Sequence, residues 1–158
     1  MSANEIYEKL KAEFGEDILS FTEDAANEAF IVVNPSRIVE ISLYLRDESE
    51  MKFDYMVNLS GVDYGTNLTV VYHLYSIPLN QRIVLKVELD RENPNVPSVE
   101  KVWKTANWHE REAYDMFGIV FENHPFMVRI LCPYDWEGYP LRKDYVQPET
   151  YHGIKVAY

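Results

Sequence analysis

Four prolines, Pro125, Pro133, Pro140 and Pro148, fall about eight residues apart along residues 119–158. Proline removes a backbone donor and clashes inside a helix, so this stretch cannot be one long helix. Yet it carries Phe121, Phe126, Tyr134, Trp136, Tyr139, Tyr145, Tyr151 and Tyr158, more aromatic surface than a disordered linker tolerates. Fully extended it would reach about 130 Å. A domain made of the preceding 118 residues has a radius of gyration of about 13 Å. The chain therefore divides into an α/β domain, residues 1–118, and an extended C-terminal tail, residues 119–158. The aromatics of the tail need a covering surface. Either a partner protein supplies it, or the tail wraps the edge of its own sheet.

The upstream pattern is regular enough to order the elements. Ile6, Leu10 and Phe14 predict a helix over residues 2–14, stopped at Gly15. Two short strands follow, residues 18–22 and 29–33, with the acidic stretch Glu23–Glu28 as a hairpin turn. Asn34-Pro35 opens a second helix, Asn as cap and Pro in the first turn, with Ile38, Ile41 and Leu45 as its buried stripe. Phe53, Tyr55, Val57 and Leu59 alternate as a strand that ends in the turn-rich run Gly61–Gly65. Residues 68–75 are apolar on both faces, as in a central strand. In residues 82–89, Ile83, Leu85, Val87 and Leu89 alternate with Arg82, Lys86 and Glu88. Asp90–Ser98, with Pro94 and Pro97, reads as a loop. Val99, Val102, Trp103 and Ala106 begin a third helix, recapped at Asn107 with Glu110 in capping-box spacing and ended by Gly118. The order α-β-β-α-β-β-β-α places helices on a mixed sheet, an α/β fold of the α+β type.

Charge narrows the partners. The net charge is −11, and residues 1–50 alone hold 12 acids against 4 bases. Nucleic-acid phosphates and anionic lipid reward clustered Lys and Arg, so neither is expected as a partner. No apolar run approaches 18 residues and no basic-then-apolar leader is present, so neither membrane insertion nor secretion is expected. With Cys132 as the single cysteine, a cluster held by four thiolates of this chain is impossible.

Candidate chemistry is sparse. His109-Glu110 resembles the start of a zinc-protease helix, but the second histidine the motif needs would fall at Ala113. Glu110, Glu112 and Asp115 could act as an acid–base set in a stand-alone enzyme if burial raised a pKa. The competing reading pairs Arg111 with Asp115 at i,i+4 in a structural ion-pair network. Lys143 and Tyr145 lack the glycine pattern that would make them a Rossmann-type dyad. Cys132 has no activating neighbour. Arg129 and Arg142 sit among apolar residues and call for carboxylates from this chain or another. A binding or assembly module is favoured over an enzyme.

One stretch is diagnostic. Glu110-Arg111-Glu112-Ala113-Tyr114-Asp115-Met116-Phe117-Gly118-Ile119, then Phe121, His124-Pro125, Arg129-Ile130-Leu131, Asp135-Trp136, Gly138 and Pro140-Leu141-Arg142-Lys143-Asp144-Tyr145 closely resemble the 30 kDa subunit family of respiratory complex I, an NADH-quinone oxidoreductase. The resemblance implies an accessory subunit of the hydrophilic arm, peripheral on the cytoplasmic side of the energy-converting membrane. It implies docking on the large subunit that helps form the quinone site, beside other arm subunits. It also implies no redox centre, metal or catalytic residue in this chain, the FMN, iron–sulfur clusters and quinone belonging to the rest of the complex. Related subunits serve ferredoxin-fed chloroplast-type complexes and membrane-bound hydrogenases, so the electron donor stays open. The family often has two arginines before Ile-Leu. Here Val128 precedes Arg129, which removes one expected ion pair.

Overall fold

Ser2 starts the first helix, α1 (Ala3–Phe14), through a capping box: its hydroxyl accepts from the Glu5 N–H, and the Glu5 carboxylate accepts from the Ser2 N–H. Ile6 and Leu10 are fully buried, and Gly15 ends the helix at positive φ. The computed structural model describes residues 1–23 and 28–156. Residues 24–27, the centre of the expected acidic turn, and residues 157–158, with the last tail aromatic Tyr158, lie outside them. Strands β1 (Ile18–Thr22) and β2 (Phe30–Val33) pair antiparallel, as the hairpin reading requires. Asn34 then caps a 3-10 turn by accepting from the Ser36 N–H, and α2 (Ile38–Asp47) follows, with Ile38, Ile41 and Leu45 fully buried.

Strands β3 (Tyr55–Asp63), β4 (Asn67–Ser76) and β5 (Gln81–Asp90) complete a mixed sheet of order β1-β2-β5-β4-β3. Every pairing is antiparallel except β2 with β5. Ile83, Leu85, Val87 and Leu89 of β5 join Leu68, Val70, Tyr72 and Leu74 of β4 in one core with Ile6, Leu10, Ile41 and Leu45 of the helices. The central-strand reading of β4 holds.

Strand β3 departs from its expected pattern twice. Tyr55 and Val57 are half exposed, while Met56 and Leu59 are buried, so the predicted alternation does not run through the strand. The register with β4 shifts between Met56 and Asn58, and such a bulge moves later side chains to the opposite face. The strand also continues through Gly61 to Asp63, where a turn was expected. Gly61 serves a close approach rather than a bend: a Cβ there would lie 2.7 Å from the Phe117 ring.

The expected loop at Asp90–Ser98 contains a short strand, β6 (Asn95–Pro97), paired in parallel with β7 (Val120–Glu122). The third helix, α3 (Ala106–Phe117), starts later than predicted. Val99, Val102 and Trp103 are buried in the turns before it, and the Trp103 indole donates to the Phe53 carbonyl at 2.9 Å. The Asn107–Glu110 capping box does not form, because the Glu110 carboxylate turns inward. Gly118 ends the helix in the left-handed region, φ 72°.

After Glu122 the chain has no regular element until a two-residue-per-strand hairpin, β8 (Thr150–Tyr151) with β9 (Ile154–Lys155). Ile119 and Phe121 belong to the core of the domain. Residues beyond them fold back against α3 instead of reaching outward as a free strap. The alternative open in the sequence was a tail wrapped on the edge of its own sheet; the described residues lie mainly against α3 and touch the edge strand β3 at Asp63.

Candidate docking interface

An α-helix leaves its last four carbonyls without intrahelical donors. In α3 all four find one. Gly118 N–H donates to Tyr114 O, Arg129 Nη1 to Asp115 O, Leu141 N–H to Met116 O, and Arg142 Nε to Phe117 O at 2.6 Å. Three of the four donors come from the tail, and two are guanidinium groups, which the negative end of the helix dipole favours. Tyr139 packs in the middle. Its ring lies 5.3 Å from the Arg129 guanidinium and 4.9 Å from that of Arg142, and it occupies the space a Cβ at Gly118 would fill.

Asp115, fully buried, is the hub. One carboxylate oxygen accepts from Arg129 Nη1 at 2.7 Å. The other accepts from the N–H groups of Ile130, Leu131 and Cys132 at 2.9, 2.7 and 3.0 Å. Burial works to raise its pKa, but the backbone donors and Arg129 outweigh it and hold the carboxyl below its ordinary value. The expected Arg111–Asp115 pair is therefore absent: the arginine that Asp115 takes comes from the tail. Cys132 contributes its backbone, and burial pushes its thiol up, away from the reactive thiolate.

A second carboxylate ties the tail to the sheet. Asp63, at the end of β3, accepts from Arg91 Nη1, from Gly65 N–H at 2.7 Å and from Lys143 N–H at 2.8 Å. The Arg91 guanidinium holds its carboxyl well below the usual carboxylate range against the effect of burial. Arg91 also reaches Asp144 at 2.7 Å. Farther out, Trp136 Nε1 donates to Tyr145 Oη at 3.0 Å, and Gly138, at φ 79°, leaves room for the Tyr145 ring. Asp135 accepts from Tyr151 Oη and pairs with His152. Pro125 is exposed, and Pro140 is half-buried beside the Leu141 contact.

Glu110 was a candidate acid–base residue, and burial raises its pKa to about 7. It has no exposure, so no substrate from solution can touch it. It accepts from Ser98 Oγ at 2.6 Å and Val99 N–H at 2.8 Å, fixing the turn before α3 to the helix. His124 Nε2 stands 3.9 Å away. Glu112 is exposed, and Asp115 is committed to Arg129. The three carboxylates do not converge on a common site. Among the described residues no group of three or more His, Cys, Asp or Glu is placed to hold a metal ion.

Sequence reading missed Asp63, Arg91, Ser98 and Tyr139. Asp63 and Lys143 are 80 residues apart, and no local spacing signals such a contact. The clasp leaves apolar side chains uncovered among polar ones. Trp108, Phe126, Val128, Leu131, Tyr134, Leu141, Val146 and Ile154 are all exposed, Tyr134 at 93%.

These features define a two-layer α/β module whose own tail is locked to it by ionised side chains while presenting apolar ones outward. The family model described as "Respiratory-chain NADH dehydrogenase, 30 Kd subunit" matches residues 31–151, and the chain belongs to that family. It is 48% identical over 155 residues to the C subunit of the NADH-quinone oxidoreductase of Chlorobium phaeobacteroides, covering 96% of this chain and 93% of that protein. The solved trypsin-resistant fragment of Nqo5, 29% identical, superposes with a TM-score of 0.68 over 80% of this chain and 99% of that one. A chain of the membrane-bound sulfane sulfur reductase, an archaeal respiratory membrane complex, shares the fold at 24% identity, with a TM-score of 0.73 over 90% of this chain and 85% of the other. Among the described residues no helix is long and apolar enough to cross a membrane.

Proposed function

We propose that the chain is an accessory subunit, without a redox centre of its own, of the hydrophilic arm of a proton-translocating NADH-quinone oxidoreductase. It docks through residues 119–158 and α3 on the large subunit that helps form the quinone site, on the cytoplasmic side of the membrane. FMN, iron–sulfur clusters and quinone are held by other subunits, and this chain supports electron transfer by positioning the subunit it docks on. The observation that carries this reading is a tail locked in place by Asp115, Asp63, Arg129 and Arg142 that still exposes Phe126, Leu131, Tyr134, Leu141 and Val146. Ordering a segment costs about 1–2 kcal/mol per residue. A fold that meets this cost and leaves apolar side chains in water has prepared a surface for a partner.

The test is purification of the tagged chain from membranes of cells that express it naturally. Subunits that oxidise NADH and reduce quinone are expected to accompany it, with residues 119–156 resistant to protease in the complex and cleaved in the isolated chain. A chain that purifies alone, or a tail equally cleaved in both states, overturns the reading. Co-purification with a ferredoxin- or hydrogen-oxidising complex would keep the docking role and replace the electron donor.

A further inference from the structure

Arg111 differs from the other arginines of the clasp. Arg129 meets Asp115, and Arg142 caps Phe117. Among the described residues Arg111 makes one hydrogen bond, from Nε to the Val128 carbonyl at 3.2 Å, and no ion pair. Its guanidinium lies 4.7 Å from the centre of the Trp108 ring and 5.5 Å from that of Phe126. Both rings are exposed, at 64% and 63%. Aromatic faces hold a guanidinium by its π-surface and leave its in-plane N–H edge available, and that edge is the one that binds a carboxylate with two parallel hydrogen bonds.

The platform is fixed before any partner arrives. The His124 side chain is fully buried, and its Nδ1 accepts from the Phe126 N–H at 3.0 Å. Its Nε2 faces the Asn107 carbonyl at 3.1 Å and, with Nδ1 accepting, is the nitrogen that donates to that oxygen. The histidine thereby ties the Phe126 backbone to the first turn of α3, where Trp108 stands. Val128 and Leu131, both exposed, extend the apolar rim. Two aromatic rings around one arginine are also the composition in which binding energy concentrates at protein interfaces.

We propose that Trp108, Arg111 and Phe126 form a slot for one Asp or Glu carboxylate of another subunit, borne on a protein segment with apolar residues beside it. This rests on the accessory-subunit reading above. Charge complementarity selects the occupant: a single unpaired cation in an apolar rim calls for one anion with apolar neighbours. A chain of net charge −11 repels a polyanionic lipid or nucleic-acid surface.

The test uses the assembled complex, purified from cells in which an R111K chain replaces the parent. A zero-length carbodiimide joins a lysine amine to a touching carboxylate and does not couple a guanidinium. Mass spectrometry is expected to find a cross-link from position 111 to an Asp or Glu of another subunit, absent with the parent chain. R111A is expected to weaken retention of the chain in the complex by roughly thirty-fold, with R111K between the two. The isolated chain should stay folded in both variants, with a thermal midpoint within a few degrees of the parent's. Cross-links from position 111 only to this chain's own carboxylates, or unchanged retention of R111A, overturn the slot while leaving the accessory role standing. A parent chain that joins no complex overturns both.

Discussion

The sheet and the clasp are held by different forces. In the sheet, Val70, Leu74, Ile83, Leu85 and Val87 are buried beside the apolar stripes of α1 and α2. Each such side chain contributes about 1.5–3 kcal/mol on burial, with little dependence on salt or pH. In the clasp many apolar residues of the tail stay exposed, and the attachments are ionised groups bonded to backbone: Asp115 to three N–H groups, Asp63 to two, and Arg129 and Arg142 to carbonyls. The difference has a use. An apolar anchor would bury the side chains on which the proposed docking rests. Carboxylate-to-backbone anchors fix the path of the tail and leave those side chains on the surface.

The sharpest way to break this contrast is Asp115→Ala. It leaves the Arg129 charge without its carboxylate and three N–H groups without an acceptor, and removing one partner of a buried pair costs about 3–5 kcal/mol. A urea titration should show that loss, and trypsin should cut at Arg129 and Arg142 faster than in the isolated parent chain. Leu85→Ala should cost a similar amount, about 2–5 kcal/mol, by leaving a cavity, yet keep its cost in high salt. If both variants show the same salt dependence, the two regions are not held differently.

The second effect is pH. Burial raises the Glu110 carboxyl from its ordinary 4.5 to about 7 in the fold. Between those values the folded chain binds more protons than the unfolded one, so stability falls as pH rises through the window. The expected loss is about 3 kcal/mol, at about 1.4 kcal/mol per pKa unit. Glu110→Gln keeps the shape and carries no titrating proton, so its urea midpoint should stay flat from pH 5 to 8 while the parent's drops. Asp115 and Asp63 work in the opposite sense. Their carboxyls are held low, so their contribution is present above the ordinary carboxylate range and is lost as pH falls below it.

What the sequence disclosed follows the same division. The Ile6–Leu10 spacing, the Asn34-Pro35 cap and the alternation of β5 report local burial, and each element formed where its pattern lay. Local spacing misled where a distant group competed. Asn107 and Glu110 have capping-box spacing, but Ser98 and Val99 offered the carboxylate a buried site. Arg111 and Asp115 are four apart on α3, but the tail brought Arg129 and three N–H groups to Asp115 together. The β3 bulge and the β6–β7 pairing depend on chain brought back from elsewhere, which periodicity does not encode. The motif residues of the candidate interface were legible as a set. Their bonds were not, because nearly all join residues 9 to 80 positions apart.

Gly118→Ala probes the joint between the regions. The left-handed backbone strains any side chain, and the added Cβ meets the Tyr139 ring. A cost of about 1–3 kcal/mol is expected, together with faster tryptic release of the tail, since Tyr139 must move and both guanidinium groups stack on it. A variant that loses stability without loosening the tail would detach Tyr139 from the role assigned to it.

The smallest effect separates the two ends of one arginine. Arg91 joins Asp63, whose side chain is 2% exposed, to Asp144, whose side chain is 64% exposed. An exposed pair gains little in water and is screened by salt, whereas a buried carboxylate that loses its charge leaves its donors unmatched. Asp144→Asn should therefore leave the thermal midpoint of the isolated chain unchanged at low and high salt. Asp63→Asn should lower it and free the backbone at Lys143, visible as faster amide exchange there. Equal shifts from the two substitutions would mean that the clasp is held by net charge around Arg91 and not by the buried geometry at the end of β3.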